Sequence, residues 1–230
     1  RMRPRTIDDV VGQEHLVGVG KPLRRLVEQD KLSSAIFWGP PGTGKTTLAL
    51  AVAGTTKRAF EQLSAVTAGV KDVREVIERA RQRLGMHGQG TILFLDEIHR
   101  FSKSQQDSLL GAVEKGVVTL IGATTENPSF EVNGALLSRS QVYTLNALTK
   151  DELNQLLEDV IVRDEVLRAK NIQLEETQSL LKYSGGDARR LLNVLELVVE
   201  SITDSPCVVK NESVENVIQT NAARYDKTGE

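Results

Sequence analysis

Cysteine is almost absent from this sequence, and the shortage limits what the chain can be. The single cysteine, Cys207, excludes an internal disulfide and any zinc site built from several cysteine ligands. A chain so poor in cysteine fits a reducing compartment. We expect Cys207 to be a small buried or loop residue and not a nucleophile.

Net charge and long apolar runs are also lacking. The formal net charge is −2 over 230 residues, so any nucleic-acid-binding surface must be a local patch. The longest apolar runs fall far below the ~20 residues needed to cross a bilayer. The basic opening, residues 1–5, leads into Thr6, Ile7, Asp8 and Asp9 instead of the apolar core of a secretory signal. We therefore expect a cytoplasmic chain with no membrane partner.

Short apolar runs alternate with helical patterns up to residue 147. The apolar runs predict strands over residues 35–38, 59–64, 91–95, 117–122 and 141–145. Helical spacing between them predicts helices over residues 46–53, 72–84 and 105–114. Fully apolar strands separated by helices are typical of a parallel sheet covered on both faces. The sequence therefore predicts an α/β domain over residues 1–147.

The pattern changes to helices after residue 147. Thr149 and Glu152 form a capping-box sequence, in which each side chain satisfies a backbone N–H of the other residue. Leucines, isoleucines and valines at helical spacing follow in several segments, and the strand-like exception is the short run Val208-Val209. The sequence predicts a small all-helical domain over residues 148–230.

Residues 39–46 hold the most specific motif of the chain, a glycine loop with the spacing G-x-x-x-x-G-K-[ST]. Glycines let the backbone curl so that successive N–H groups point at phosphate oxygens, and the positive end of the following helix adds to the attraction. Lys45 is expected to reach the β- and γ-phosphates, and Thr46 to ligate Mg²⁺. The predicted ATP-binding residues of the loop are Gly39, Pro40, Pro41, Gly42, Thr43, Gly44, Lys45, Thr46 and Thr47.

An acid pair follows the third predicted strand. Asp96 at this position is expected to hold Mg²⁺ through its coordination shell. Glu97, one residue further on, can polarise the attacking water as a general base. His99 is compatible both with a structural hydrogen bond and with a role in coupling. Thr124 and Thr125 follow the fourth predicted strand, where a hydroxyl can lie between the acid pair and the γ-phosphate.

Two arginines are candidates for the same chemistry. Arg139 precedes the fifth predicted strand, and Arg189 follows Gly186-Asp187-Ala188 at the start of a helix in the second domain. An arginine can stabilise the charge that develops on the transferred phosphoryl group, and it can come from a neighbouring subunit. An isolated arginine is more often a solvated surface charge, so both assignments depend on the other motifs.

Taken together, these features resemble the AAA+ family of ATPases. The match runs in the family's order from residues 10–13 through the glycine loop and the acid pair to Arg189. The resemblance implies a P-loop core with a five-stranded parallel sheet, a helical lid, ATP at their seam, and activity as an oligomeric ring. It implies that Thr125 senses the γ-phosphate, Arg139 acts on a neighbour's ATP, Arg189 touches the nucleotide of its own subunit, and Val11 and Gly12 flank the adenine.

Longer segments give a narrower resemblance. Residues 64–71, 96–107 and 122–130 closely resemble the family of replication-associated recombination protein A, the bacterial relatives of the Werner-helicase-interacting ATPase; residues 135–139 and 186–190 agree with it. That family implies a DNA-dependent ATPase of stalled replication forks, single-strand gaps and duplex ends, acting in replication, recombination and repair. It also implies ATP and Mg²⁺ as cofactors, single-stranded-DNA-binding protein as a partner, a tetramer, and a place at the bacterial nucleoid.

Members of that family continue past the position of Glu230 into a helical region that holds the tetramer together. We therefore expect this chain to carry the ATPase core and lid without that region. Any hydrolysis that needs Arg139 from a neighbouring subunit would then depend on an assembly that the chain has lost.

Three other functions share part of the pattern. Clamp-loader subunits place a cysteine after the arginine, where Ser140 stands, and their zinc-bearing bacterial forms need four cysteines. Holliday-junction branch-migration motors share residues 96–99 but insert a long hairpin before the sensing threonine, for which residues 98–124 leave no room. A nucleotide-gated adaptor without hydrolysis is disfavoured because the acid pair, Thr125 and both arginines are present.

Basic residues of the first domain are candidates for DNA contacts, although each also fits a solvated face balanced by nearby acids. Phosphate contacts would make DNA binding fall steeply with salt. The candidates are Arg1, Arg3, Arg5, Lys21, Arg24, Arg25, Lys71, Arg79, Arg81 and Arg83.

Overall fold

The structure is a computed structural model that describes residues 2–227, with the side chains of residues 2–223. The described chain divides into two compact units. The first is Arg3–Asn146, and the second comprises residues 147–227 together with Met2.

A five-stranded parallel sheet forms the centre of the first unit. Its strands, in chain order, are β1 (Ala35–Trp38), β2 (Ala59–Ser64), β3 (Thr91–Asp96), β4 (Thr119–Thr124) and β5 (Gln141–Thr144). They lie side by side in the order β2-β3-β4-β1-β5. The predicted α/β fold is confirmed.

Helices cover both faces of the sheet. They are α1 (Glu14–Val17), α2 (Pro22–Glu28), α3 (Lys45–Thr56), α4 (Val70–His87), α5 (Lys103–Glu114), α6 (Pro128–Glu131) and α7 (Gly134–Ser138), with 3₁₀ turns at Ile7–Asp9 and Ile98–Arg100. Successive strand residues point to opposite faces. Ile92 and Phe94 therefore pack in the cluster that contains α3, while Leu93 and Leu95 pack in the cluster that contains α4 and α5.

The fourth strand lies two residues later than its predicted range of 117–122. Val117 and Val118 are buried, but their N–H groups bond to the Ala112 carbonyl, at 2.9 Å and 3.5 Å, and complete the end of α5. Their apolar side chains made these valines look like strand residues. Composition does not distinguish a buried helix end from a buried strand. The shift places Thr124 inside β4.

The second unit is mainly helical. It contains α8 (Lys150–Arg163), α9 (Glu165–Ala169), β6 (Ile172–Leu174), α10 (Gln178–Ser184), α11 (Ala188–Ser201), β7 (Cys207–Val209) and α12 (Asn211–Lys227). The predicted capping box forms at the start of α8, with Glu152 N–H to Thr149 Oγ1 at 3.1 Å and Thr149 N–H to Glu152 Oε1 at 2.9 Å.

The prediction of a purely helical second domain was wrong in one respect. β6 and β7 pair in parallel, with Ile172 opposite Cys207 and Leu174 opposite Val209. Three residues are too few for a period-2 pattern to be recognised, and the partner strand lies far along the chain. Cys207 is buried, as expected, and burial raises the pKa of its thiol, which keeps it protonated and poorly nucleophilic.

None of the helices in the described part of the chain is long and apolar enough to span a bilayer.

Candidate functional site

The carboxyl ends of three adjacent strands bring the main predicted site residues together. β4 lies between β3 and β1, so its end separates the acid pair after β3 from the glycine loop after β1. The Gly39 N–H donates to the Thr124 carbonyl at 3.2 Å, which ties the start of the loop to the end of β4. Such an edge is where open parallel sheets bind ligands.

The glycine loop adopts a conformation that its glycines permit. Gly42 and Gly44 have φ angles of 76° and 90°, in the left-handed region where side chains are strained. The Thr43 hydroxyl closes the turn by donating to the Pro40 carbonyl at 2.9 Å. A Cβ on Gly39 would lie 2.5 Å from the Leu145 carbonyl oxygen, so only glycine fits where the loop leaves β1.

Replacing Gly39 with alanine is expected to destabilise the protein by about 1–3 kcal/mol, because backbone of β1 or of the segment after β5 must shift. The matched control is Gly111→Ala in α5, where an added Cβ meets nothing within 4 Å. That change is expected to stabilise by about 0.5–1 kcal/mol, since alanine favours the helix. Denaturant unfolding of both variants measures the difference, and equal effects would contradict this reading of Gly39.

Lys45 begins α3 and lies within the curl of the loop. Its ammonium donates to the Gly39 carbonyl at 2.6 Å and to the Pro40 carbonyl at 2.8 Å. The N-terminal end of the twelve-residue helix α3 adds a partial positive charge at the same place. A curled backbone, an ammonium and a helix N-terminus together fit a polyphosphate.

The acid pair lies at the carboxyl end of β3. Asp96 ends the strand, and its Oδ1 accepts the Glu97 N–H at 3.0 Å. Glu97 has a φ of 54°, an uncommon conformation for a residue with a side chain, and its carboxylate lies 3.8 Å from the Arg100 guanidinium. Backbone outliers of this kind cluster at functional sites.

The candidate ligands Thr46 and Asp96 suit Mg²⁺ better than a metal whose ligands all come from the protein. Thr46 lies in the first turn of α3 and is 9% exposed, and Asp96 is half-buried. No group of three or more His, Cys, Asp or Glu side chains in the described part of the chain could hold a metal. Mg²⁺ in phosphate sites uses one or two protein oxygens and takes the rest from phosphates and water, which fits Thr46 and Asp96.

The two threonines at the end of β4, Thr124 within the strand and Thr125 just after it, differ in their surroundings. Thr124 is 1% exposed, and its Oγ1 lies 2.9 Å from His99 Nδ1. Thr125 is exposed at the carboxyl edge of the sheet. The structure therefore identifies Thr124 as the hydrogen-bond partner of His99. The sequence left the role of His99 open, because only the pairing of β3 with β4 brings the two residues together.

Gln13 holds the glycine loop from the other side, and the sequence did not mark it as a site residue. Its side-chain amide donates to the Thr43 carbonyl at 3.2 Å and the Asn146 carbonyl at 2.8 Å, and its Oε1 accepts the Asn146 N–H at 2.9 Å. Gln13 is 5% exposed and directly follows Val11 and Gly12. This link places the predicted adenine-flanking segment beside the loop.

Arg139 lies at the edge of the sheet formed by the amino ends of the strands, opposite the edge that carries the glycine loop. It precedes β5, whose first residue Gln141 donates its N–H to the Ser34 carbonyl at 2.9 Å, just before β1. The five residue steps from Ser34 to Gly39 span about 16 Å at the usual rise of a strand. The structure therefore separates Arg139 from the glycine loop of its own chain.

Two contacts fix Arg139 at that edge. Its Nη2 lies 2.8 Å from Glu114 Oε1, and its Nη1 donates to the Ala135 carbonyl at 3.0 Å. The side chain is 44% exposed, and it lines an open cavity of about 560 Å³ with Ser34 and Thr119. Three of its five N–H donors remain for an external acceptor.

Arg189 lies in the first turn of α11 in the second unit and is exposed. Asp187 caps this helix, since its Oδ1 accepts the N–H of Arg189 at 2.8 Å and of Arg190 at 3.2 Å. The cap fixes the backbone of Arg189, which is exposed. Its predicted contact with the nucleotide stays a prediction.

Comparison with known proteins agrees with this geometry. Residues 35–148 match the ATPase family associated with various cellular activities (AAA), and residues 168–230 match the AAA C-terminal domain. The fold of RuvB from Thermotoga maritima, a Holliday junction branch migration motor, superposes with a TM-score of 0.75 at 24% identity, covering 95% of this chain and 72% of RuvB. At that identity the likeness concerns the fold.

Curated relatives are closer in sequence. Replication-associated recombination protein A of Coxiella burnetii is 47% identical over all of this chain and 53% of its own length, and that of Escherichia coli K12 is 45% identical with the same coverage. ATPase WRNIP1 of Dictyostelium discoideum is 47% identical over 87% of this chain and 23% of its own length. This chain spans about half the length of the bacterial relatives.

The glycine loop, the acid pair and the five-stranded sheet thus define an ATPase of the AAA class. Within that class, the chain belongs to the family of replication-associated recombination protein A and ATPase WRNIP1.

Proposed function

We propose that this chain binds Mg-ATP at residues 39–47 and hydrolyses it to ADP and phosphate, as the ATPase part of a DNA-dependent motor for replication-fork maintenance, recombination and repair. The observation that carries the proposal is the meeting of the glycine loop, Asp96, Glu97 and Thr125 at one edge of the sheet. The names of its relatives support the biological setting.

Each residue at this edge has a chemical role in the proposal. The backbone N–H groups of the loop and Lys45 hold the β- and γ-phosphates. Thr46 and Asp96 would hold Mg²⁺, which neutralises charge on the phosphates when it is bound. Glu97 accepts a proton from the attacking water, and Thr125 contacts the γ-phosphate. Val11 and Gly12 flank the adenine.

Two arginines complete the proposed site. About 16 Å of strand separates Arg139 from the loop of its own chain, which supports our assignment of its phosphoryl partner to a neighbouring subunit. Arg189 contacts the nucleotide of its own subunit, with residues 148–230 acting as a lid. These roles require a homo-oligomer, for which the family resemblance favours a tetramer.

DNA is the proposed polymer partner. Ion pairs within the protein reduce the number of basic side chains that are available to contact it. Ion pairs hold Arg24 to Asp8, Arg79 to Glu61 and Arg81 to Glu78, and Arg83 also lies 3.7 Å from Glu61. Hydrogen bonds to their carboxylate partners raise the pKa of Arg24 and Arg79 further. Arg1 lies outside the described residues. The exposed candidates that remain are Arg3, Arg5, Lys21, Arg25 and Lys71.

Branch-migration motors would carry a long hairpin in the region of residues 98–118. In this chain, these residues form a 3₁₀ turn, α5 and the segment that leads into β4, and this described stretch contains no hairpin. We therefore prefer the fork-maintenance function, with single-stranded-DNA-binding protein as its protein partner and the cytoplasm at the nucleoid as its location.

ATP turnover with and without forked DNA tests the proposal. We expect turnover to rise when DNA is added, and DNA affinity to fall steeply between about 50 and 200 mM salt, as phosphate contacts require. The control is Lys45→Ala, which should remove both basal and stimulated turnover. ATP binding without turnover would favour a nucleotide-gated adaptor, and DNA affinity that ignores salt would exclude the exposed cations as the contact surface.

A further inference from the structure

His99 joins two loops of the candidate site through one buried hydroxyl. Its Nδ1 lies 2.9 Å from Thr124 Oγ1, which is buried at the end of β4. The same oxygen accepts the Glu126 N–H at 2.9 Å and lies 3.3 Å from the Glu126 carbonyl. The Thr124 hydroxyl is therefore shared by the turn after β3 and the loop after β4.

On the first side, the contact fixes the backbone that carries Glu97. Glu97 and His99 belong to one tight turn, in which the Arg100 N–H donates to the Glu97 carbonyl at 2.8 Å. Ile98 between them is fully buried. Ile98 and the His99 ring anchor this turn, and the anchoring restricts movement of the Glu97 backbone.

On the second side, the contact fixes the backbone of Thr125. Thr125 lies between Thr124 and Glu126, and both backbone groups of Glu126 approach the Thr124 hydroxyl. Thr125 is thus held in a small ring closed on the same oxygen that His99 contacts. A displacement of this ring would be transmitted to the Glu97 turn through a single hydrogen bond.

We propose that His99 is a positioning residue that couples Glu97, the proposed general base, to Thr125, the proposed γ-phosphate sensor, through the Thr124 hydroxyl. The inference rests on the proposed function of this site. In physical terms, contact of Thr125 with a γ-phosphate sets the position of the Thr124 hydroxyl, and His99 passes that position to the turn that bears Glu97. The base is then aligned only when ATP is bound.

A double-mutant cycle on ATP turnover tests this coupling. His99→Phe and Thr124→Val each remove one end of the hydrogen bond at similar volume, and each is expected to lower kcat ~10–100-fold with little change in KM. The double variant should be no slower than the slower single variant, because both changes remove one interaction. His99→Asn, whose amide lies near the position of Nδ1, should recover part of kcat. His87→Phe, at the exposed end of α4, is the matched control.

A second measurement does not need turnover. The chain has three histidines, so the ¹⁵N resonance of His99 can be assigned by comparison with His99→Asn. We expect this resonance to differ between the ADP complex and the complex with a non-hydrolysable ATP analogue, and the difference to vanish in Thr124→Val.

The outcomes separate the inference from the function on which it rests. A wild-type chain that binds ATP without hydrolysing it would contradict the proposed function, while the His99 resonance would still decide the coupling. Losses in kcat that multiply in the double variant would overturn the coupling. So would a His99 resonance that is the same with ADP and with the ATP analogue.

Discussion

Replacing Glu97 with glutamine is expected to lower ATP turnover about 10²–10⁴-fold and to leave ATP binding intact. The amide keeps the shape of the side chain but cannot accept a proton from water. Glu97 follows the metal-binding candidate Asp96 and has a backbone φ of 54°. Steady-state turnover and equilibrium nucleotide binding, measured on the same preparation, separate the two effects.

The matched control for this change is Glu75→Gln, an exposed carboxylate on α4. It should leave turnover unchanged. If Glu97→Gln retained normal turnover, another group would have to activate the water, and the assignment of the base would be wrong. If it lost ATP binding as well, the side chain would contribute to the ground state and not to the chemical step alone.

Removal of Arg139 is expected to have an effect of similar or larger size. An arginine supplied to a transferring phosphoryl group accelerates the reaction by about 10³–10⁵-fold, so Arg139→Ala should reduce turnover by that order in the assembled protein. ATP binding by the variant should persist, because Arg139 lies at the sheet edge opposite its own glycine loop. Arg81→Ala is the control, since Arg81 is an exposed arginine paired with Glu78 on α4.

Mixing two inactive variants tests whether Arg139 acts between subunits. In a mixture of Arg139→Ala and Glu97→Gln chains, some interfaces combine an intact Glu97 with an intact Arg139 from the neighbour. We expect turnover to reappear in the mixture, to a fraction set by the number of such interfaces. A mixture as inactive as its components would show that Arg139 does not complete a neighbour's site.

The structure also explains why some features were predictable. The glycine loop was predictable because Gly42 and Gly44 adopt backbone conformations that few other residues accept, and because a lysine must follow at fixed spacing. The strands were predictable because a central parallel sheet is buried on both faces, which requires continuous apolar runs such as residues 92–95. Both features depend on neighbours in the chain.

The errors arose where the local pattern of residues was ambiguous or too short, or where the partner lay far along the chain. Val117 and Val118 have the composition of a strand but finish α5, and β6 has too few residues for its alternation to be recognised. The same limit applies to Gln13, whose partners Thr43 and Asn146 lie 30 and 133 residues away along the chain. Neither partner is implied by the residues beside Gln13.

The sequence by itself therefore determined the class of site: a phosphate-binding loop after one strand and an acid pair after another. Local conformational preference and apolar burial carry that information. Only the tertiary structure decided that β4 lies between these two strands, that His99 meets Thr124, and that Glu114 holds Arg139 at the far edge of the sheet. The reason is that strand order and side-chain pairing are set by packing across the sheet, which no local pattern of residues specifies.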